Sequence, residues 1–104
     1  MELLSELDKL VGQTLKTIDQ GHKFTIYEVS EGKVIITVES TGKKRRISIE
    51  EICGSLELLS ENHKITRKEI NQKTSARNPA YVVSILAKIT GAKISSNPIA
   101  LFLN

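Results

Sequence analysis

Apolar residues recur at helical spacing in the first eleven positions. Leu3, Leu4, Leu7, Leu10 and Val11 line one side, and Glu2, Glu6 and Lys9 the other. This pattern predicts a short amphipathic helix over residues 2–11, ended at Gly12. The period then drops to two. Phe24, Ile26 and Glu28 alternate with Thr25, Tyr27 and Val29, and Val34, Ile36 and Val38 alternate with Ile35, Thr37 and Glu39. Arg45, Ile47 and Ile49 alternate in turn with Lys44, Arg46 and Ser48. Between these runs lie the polar turns Asp19-Gln20-Gly21-His22, Ser30-Glu31-Gly32-Lys33 and Ser40-Thr41-Gly42-Lys43. Glycine accepts the positive φ of tight hairpins, for instance in a type I turn closed by a bulge. The pattern therefore predicts a four-stranded antiparallel meander over residues 14–48. Its first strand, Thr14 to Ile18, alternates least well.

Helical spacing returns after Ser48. The run Ser48-Ile49-Glu50-Glu51 has the form of a capping box, and Ile49, Ile52, Leu56 and Leu59 follow through about Glu61. Thr66-Arg67-Lys68-Glu69 is a second capping box, opening a short helix to about Lys73 with Ile70 inward. Asn78-Pro79 places an N-cap residue before a proline, which suits the first helical position. Val82, Val83, Leu86 and Ile89 supply that helix's buried face, and Gly91 its end. A turn at Asn97-Pro98 and an apolar strand over 99–103 close the chain. The expected fold class is α+β: an N-terminal helix, the meander, then three helices and a terminal strand. Ile36, Leu56, Leu86 and Phe102 are expected in the core.

Composition fits this picture. The 104 residues are 39% hydrophobic and 26% charged, values ordinary for a folded domain. A chain of this length buries roughly 60–70% of its unfolded surface, enough for one core. Residues 1–104 are therefore read as one domain, with a sheet half (1–48) and a helical half (49–104). With only four aromatic residues, Phe24, Tyr27, Tyr81 and Phe102, the core must be mainly Ile, Leu and Val. Cys53 is the only cysteine, which excludes an internal disulfide and suits a reducing compartment. The N-terminal residues lack a basic segment, and Glu2, Glu6 and Asp8 interrupt their apolar pattern. They are not expected to form a signal peptide. No apolar run reaches the roughly 18 residues of a membrane span. The expected location is the cytoplasm.

Charge divides the chain. Residues 1–62 carry eight Lys/Arg against eleven Asp/Glu, a net of −3, whereas residues 63–104 carry seven against Glu69 alone, a net of +6. A basic field of that size attracts polyanions. Catalytic chemistry is sparse by comparison. His22 and His63 lie apart, with no Cys, Asp or His at metal-ligand spacing. The glycines occur singly, so no phosphate-cradling loop is formed. Cys53 has no neighbour in sequence that would stabilise a thiolate. No catalytic residue, cofactor or metal is expected.

The order of elements over residues 49–104 resembles a winged helix-turn-helix. The residues that carry the resemblance are the starts at Thr66 and Asn78-Pro79, the apolar Leu56, Leu59, Ile70, Val82, Leu86 and Ile89, and the strand 99–103. The connection 74–78 is longer than the three or four residues of the tight motif. The resemblance implies that the third helix is a recognition helix. Its polar stripe would be Tyr81, Ser84 and Lys88, with Arg77 just before it. Arg67, Lys68 and Lys73 on the preceding helix would meet phosphates. Lys44 and Arg46, in the basic run 43–46, either contact phosphate at a hairpin tip or protect an edge strand from aggregation. Two function classes follow. One is a non-enzymatic module that binds nucleic acid, double-stranded DNA rather than RNA. The other is an adaptor or inhibitor that binds a partner protein through its sheet or N-terminal helix.

Overall fold

The computed structural model describes residues 2–18 and 20–103, so Asp19 of the first predicted turn lies outside the described residues. The element order is α1 (Leu3–Lys9), β1 (Thr14–Lys16), β2 (Lys23–Ser30), β3 (Lys33–Val38), β4 (Lys44–Ser48) and α2 (Ile49–Asn62). It continues with β5 (Lys64–Thr66), α3 (Arg67–Glu69), a π-helical turn (Ile70–Thr74), α4 (Pro79–Thr90), β6 (Lys93–Ser96) and β7 (Ile99–Phe102). The fold is α+β. The first four strands form an antiparallel meander in chain order, and a small second sheet has the order β5-β7-β6. Among the described residues, no helix is long and apolar enough to cross a membrane.

Local chemistry accounts for most boundaries. At the β2–β3 turn, Ser30 pairs with Lys33. Glu31 and Gly32, with φ of 29° and 79°, are both left-handed. That is the two-residue primed turn suited to twisted strands, in place of the bulged type I turn. A bulge between Ile26 and Glu28 resets the phase of β2. Val29, not Glu28, therefore shares the face of Phe24 and Ile26 and pairs with buried Val34. β1 stops at Lys16 because Thr17 turns out of the ladder, its hydroxyl accepting from the His22 N–H.

Both capping boxes form. Ser48 and Glu51 exchange hydrogen bonds at 2.8 and 3.1 Å, and Thr66 and Glu69 at 3.1 and 3.0 Å. Asn78 departs from expectation: its side chain makes no cap bond and donates instead to the Arg46 carbonyl at 3.3 Å. The connection after α3 is a π-helical turn, closed by the Ser75 N–H donating five residues back to the Ile70 carbonyl.

One hydrophobic cluster draws on both halves, from Leu7, Phe24, Ile26 and Ile36 to Ile52, Ile70, Leu86 and Leu101. Ile36 and Leu86 are fully buried as expected. Leu56, Ile89 and Phe102 are only half-buried. Leu56 lies on the side of α2 that borders a surface hollow with Leu3 and Leu103. Phe102 lies beneath the Lys64 ammonium, 5.5 Å from its ring. The largest correction concerns α4. Residues 82 to 86 are all buried, Ser84 and Ile85 included. The helix is enclosed between the meander and α2, with no polar stripe open along its middle.

Two predictions follow from this packing. Leu86→Ala removes a fully buried side chain, and is expected to cost about 2–5 kcal/mol in chemical denaturation. The second concerns Glu51. Burial pushes its carboxyl up, but hydrogen bonds from Ser75, Ser48 and Asn78 outweigh that and hold it below its ordinary value. A carboxyl depressed in the folded state adds stability above its unfolded pKa and loses it as pH falls through the folded one. Stability should therefore decline as pH drops below about 4, and Glu51→Gln, which keeps the capping geometry, should flatten that decline. Equal pH slopes for the two proteins in denaturant titrations would contradict this assignment.

Candidate nucleic-acid interface

The start of α4 is positioned by a polar chain of contacts that runs back to α2. The Ser75 hydroxyl donates to Glu51 Oε1 at 2.5 Å, and the Ser55 and Thr74 hydroxyls meet at 2.7 Å. The Ile70 and Glu51 carbonyls lie within hydrogen-bond reach of Thr74 and Ser55 respectively, so one hydroxyl donates to its carbonyl and the other closes the Ser55–Thr74 bond. Gly54 permits the approach, since a Cβ there would lie 3.3 Å from the Thr74 methyl. These contacts fix the segment that ends at Arg77 and Asn78. Across from it, β4 contributes Arg45, whose guanidinium donates to the Arg77 carbonyl at 3.2 Å and lies 5.3 Å from the Tyr81 ring. Tyr81 in turn packs edge-on against buried Phe24, with centroids 5.0 Å apart.

Three adjoining hollows result. The first is lined by His22, Arg45, Arg67, Arg77, Asn78 and Tyr81, together with Thr17, Gln20, Pro79 and Ala80. The second shares Arg67 and Pro79 with it and adds Lys68 and Asn71. The third shares Arg45, Arg77 and Asn78 and adds Lys44, Arg46 and Ile35. Six Lys/Arg residues thus line three adjoining hollows that wrap around the edge strand β4, here taken together as the cleft, and no Asp or Glu is among their described lining residues. Two buried polar atoms there have no hydrogen-bond partner, Arg67 Nε and Asn78 Oδ1. An unpaired buried donor or acceptor is costly, so both mark the cleft as a place where a ligand would add bonds.

Of the nine residues singled out from sequence, Arg67, Lys68, Arg77, Tyr81, Lys44 and Arg46 line this cleft. Three do not. Ser84 is 6% exposed and donates to the Ala80 carbonyl within its own helix, so it is not a reading residue. Lys73 is solvent-exposed, with Glu69 4.0 Å away. Lys88 is exposed two turns along α4, outside the lining. Tyr81 lines the cleft but is held by Phe24 and Arg45, which removes the freedom expected of a base-reading side chain. Lys44 lies over the Tyr27 ring at 4.0 Å, on the opposite sheet face from Arg45. The residues missed were Arg45 and His22. Arg45 shares its strand face with buried Ile47, and that alternation would have aimed it at the helical half.

Among the described residues, no three His, Cys, Asp or Glu side chains gather as a metal site. Burial pushes the Cys53 thiol up, and the nearby Glu57 carboxylate pushes it further, which suppresses a thiolate. No protein-family model, curated protein or solved structure matches this chain.

Proposed function

We propose that this protein binds nucleic acid, duplex DNA in the first instance, by gripping the phosphate backbone in the cleft between β4, α3 and the start of α4. The observation that carries the reading is the gathering of six Lys/Arg residues around three adjoining hollows with no described carboxylate in their lining. Arginine guanidinium groups bind phosphate oxygens in a bidentate fork, and their release of counterions drives association. Base reading has little to draw on. The middle of α4 is buried, and Tyr81 is clamped between Phe24 and Arg45. Binding should therefore depend steeply on salt and weakly on sequence.

A second reading, an adaptor for a partner protein, rests on a different surface. Leu4 and Val11 are exposed on and just after α1, near the hollow lined by Leu3, Leu56 and Leu103. The two readings separate by mutation. In fluorescence-polarisation titrations on two unrelated duplexes, wild type should bind both with similar affinity. Arg45→Ala and Arg77→Ala should each lower the salt slope by about one unit. Ser84→Ala should leave the slope unchanged. Absence of binding by wild type at about 50 mM salt, where counterion release contributes most, would remove the nucleic-acid reading and leave the adaptor.

A further inference from the structure

The cleft is not uniform along its length, and one of its hollows has features that a simple backbone track does not need. The hollow at the start of α4 has a volume of about 230 Å³ and collects Arg45, Arg67 and Arg77 on its walls. Ala80 and Tyr81 also line it. Their N–H groups belong to the first turn of a twelve-residue helix that no side chain caps, because Asn78 turns to the Arg46 carbonyl instead. A helix start with open N–H groups carries a partial positive charge and binds anions. A second feature is independent of the helix. Asn78 is 6% exposed, and its Oδ1 has no partner, while Arg67 Nε is a buried donor without an acceptor. The site thus offers a concentrated set of anion-binding donors and one unanswered acceptor.

We infer that this hollow takes the terminal phosphate monoester of a nucleic-acid strand, held by Arg67, Arg77 and the open start of α4. The inference rests on the nucleic-acid reading above and assigns a strand end to one part of the cleft. A monoester carries about −1.5 to −2 charge near neutral pH and three strong acceptor oxygens, against a single charge for an internal diester. Three guanidinium groups and a helix start favour the more highly charged group. Volume points the same way. About 230 Å³ falls below the roughly 300 Å³ at which small-molecule pockets begin, so it suits a phosphoryl group with part of its sugar. An end nucleotide also enters a hollow more readily than one stacked inside a duplex.

The test compares one duplex carrying 5′-phosphate, 3′-phosphate or only hydroxyl ends, at fixed ionic strength, by fluorescence polarisation. One of the phosphorylated duplexes should bind about 10-fold tighter than the hydroxyl-ended one, the effect of one added charge-assisted pair. Arg67→Gln should erase that difference. Arg77→Gln, at an exposed position, serves as a second variant if Arg67→Gln fails to fold. In amide NMR spectra, adenosine monophosphate should shift the Ala80 and Tyr81 signals of wild type and leave those of Arg67→Gln in place. Equal affinity for all ends, with the salt slope intact, would overturn the terminal-phosphate assignment and leave the backbone reading standing. Shifts with the mononucleotide but no binding to any duplex would overturn the strand end as the source of the phosphate, and the nucleic-acid reading with it.

Discussion

The Glu51 carboxylate is the interaction on which the arrangement of the cleft depends. It closes the start of α2 onto Ser48, the last residue of β4, and receives the hydroxyl of Ser75 from the far side of the chain. One side chain therefore ties the end of the meander, the first turn of α2 and the segment leading into α4. Its hydrogen bonds outweigh the penalty of its partial burial, as expected where several donors converge on one carboxylate. Arg77 and Asn78 follow Ser75 by two and three residues, and Arg45 and Arg46 precede Ser48 by the same intervals. Fixing Ser48 against Ser75 thus brings the two cationic segments together. The Arg45–Arg77 and Asn78–Arg46 hydrogen bonds complete the junction.

This junction also explains why the charge distribution along the chain is a poor guide to the surface. By sequence, the basic half is residues 63–104, yet Lys44, Arg45 and Arg46 come from the half with a net charge of −3. None of the described carboxylates of that half lines the cleft. Glu50, Glu57 and Glu61 lie on α2, and Glu2 and Glu6 at the opposite terminus. Glu69, the one acidic residue of the second half, is engaged in the capping box with Thr66.

Elements were legible in the sequence wherever a local rule decides them. The two capping boxes, the turns at Gly32 and Gly42 and the glycine end of α4 depend on a few adjacent residues, and each of them forms. What escaped was set by neighbours distant in the chain. The helical spacing of Val82, Val83, Leu86 and Ile89 indicates a single buried face, but α4 packs against α2, α3, the π-helical turn, β1 and β7, and Ser84 and Ile85 are buried too. The bulge at Tyr27 shifts the phase of β2 without a glycine or proline to announce it. Asn78 reads as an N-cap from its place before Pro79, and only the approach of Arg46 diverts it. The candidate site was legible as residue types, with six of nine positions lining the cleft. Arg45 was missed because finding it required knowing which sheet face meets the helices.

The covering of α4 determines how the second half of the chain can meet a ligand. Three helices with a hairpin behind them usually present the third helix to solvent, and that helix then does the reading. Here Phe24 and Arg45 hold Tyr81, and the meander occupies the side on which a groove would lie. The first turn of α4 borders a hollow lined by Arg45, Arg67 and Arg77. A helix offered end-on presents N–H groups and a dipole, whereas one offered side-on presents side chains. The first arrangement recognises charge and the second recognises sequence. The enclosure of α4 therefore converts an element suited to reading bases into one suited to holding an anion, and the unbonded Asn78 Oδ1 and Arg67 Nε lie at that converted end.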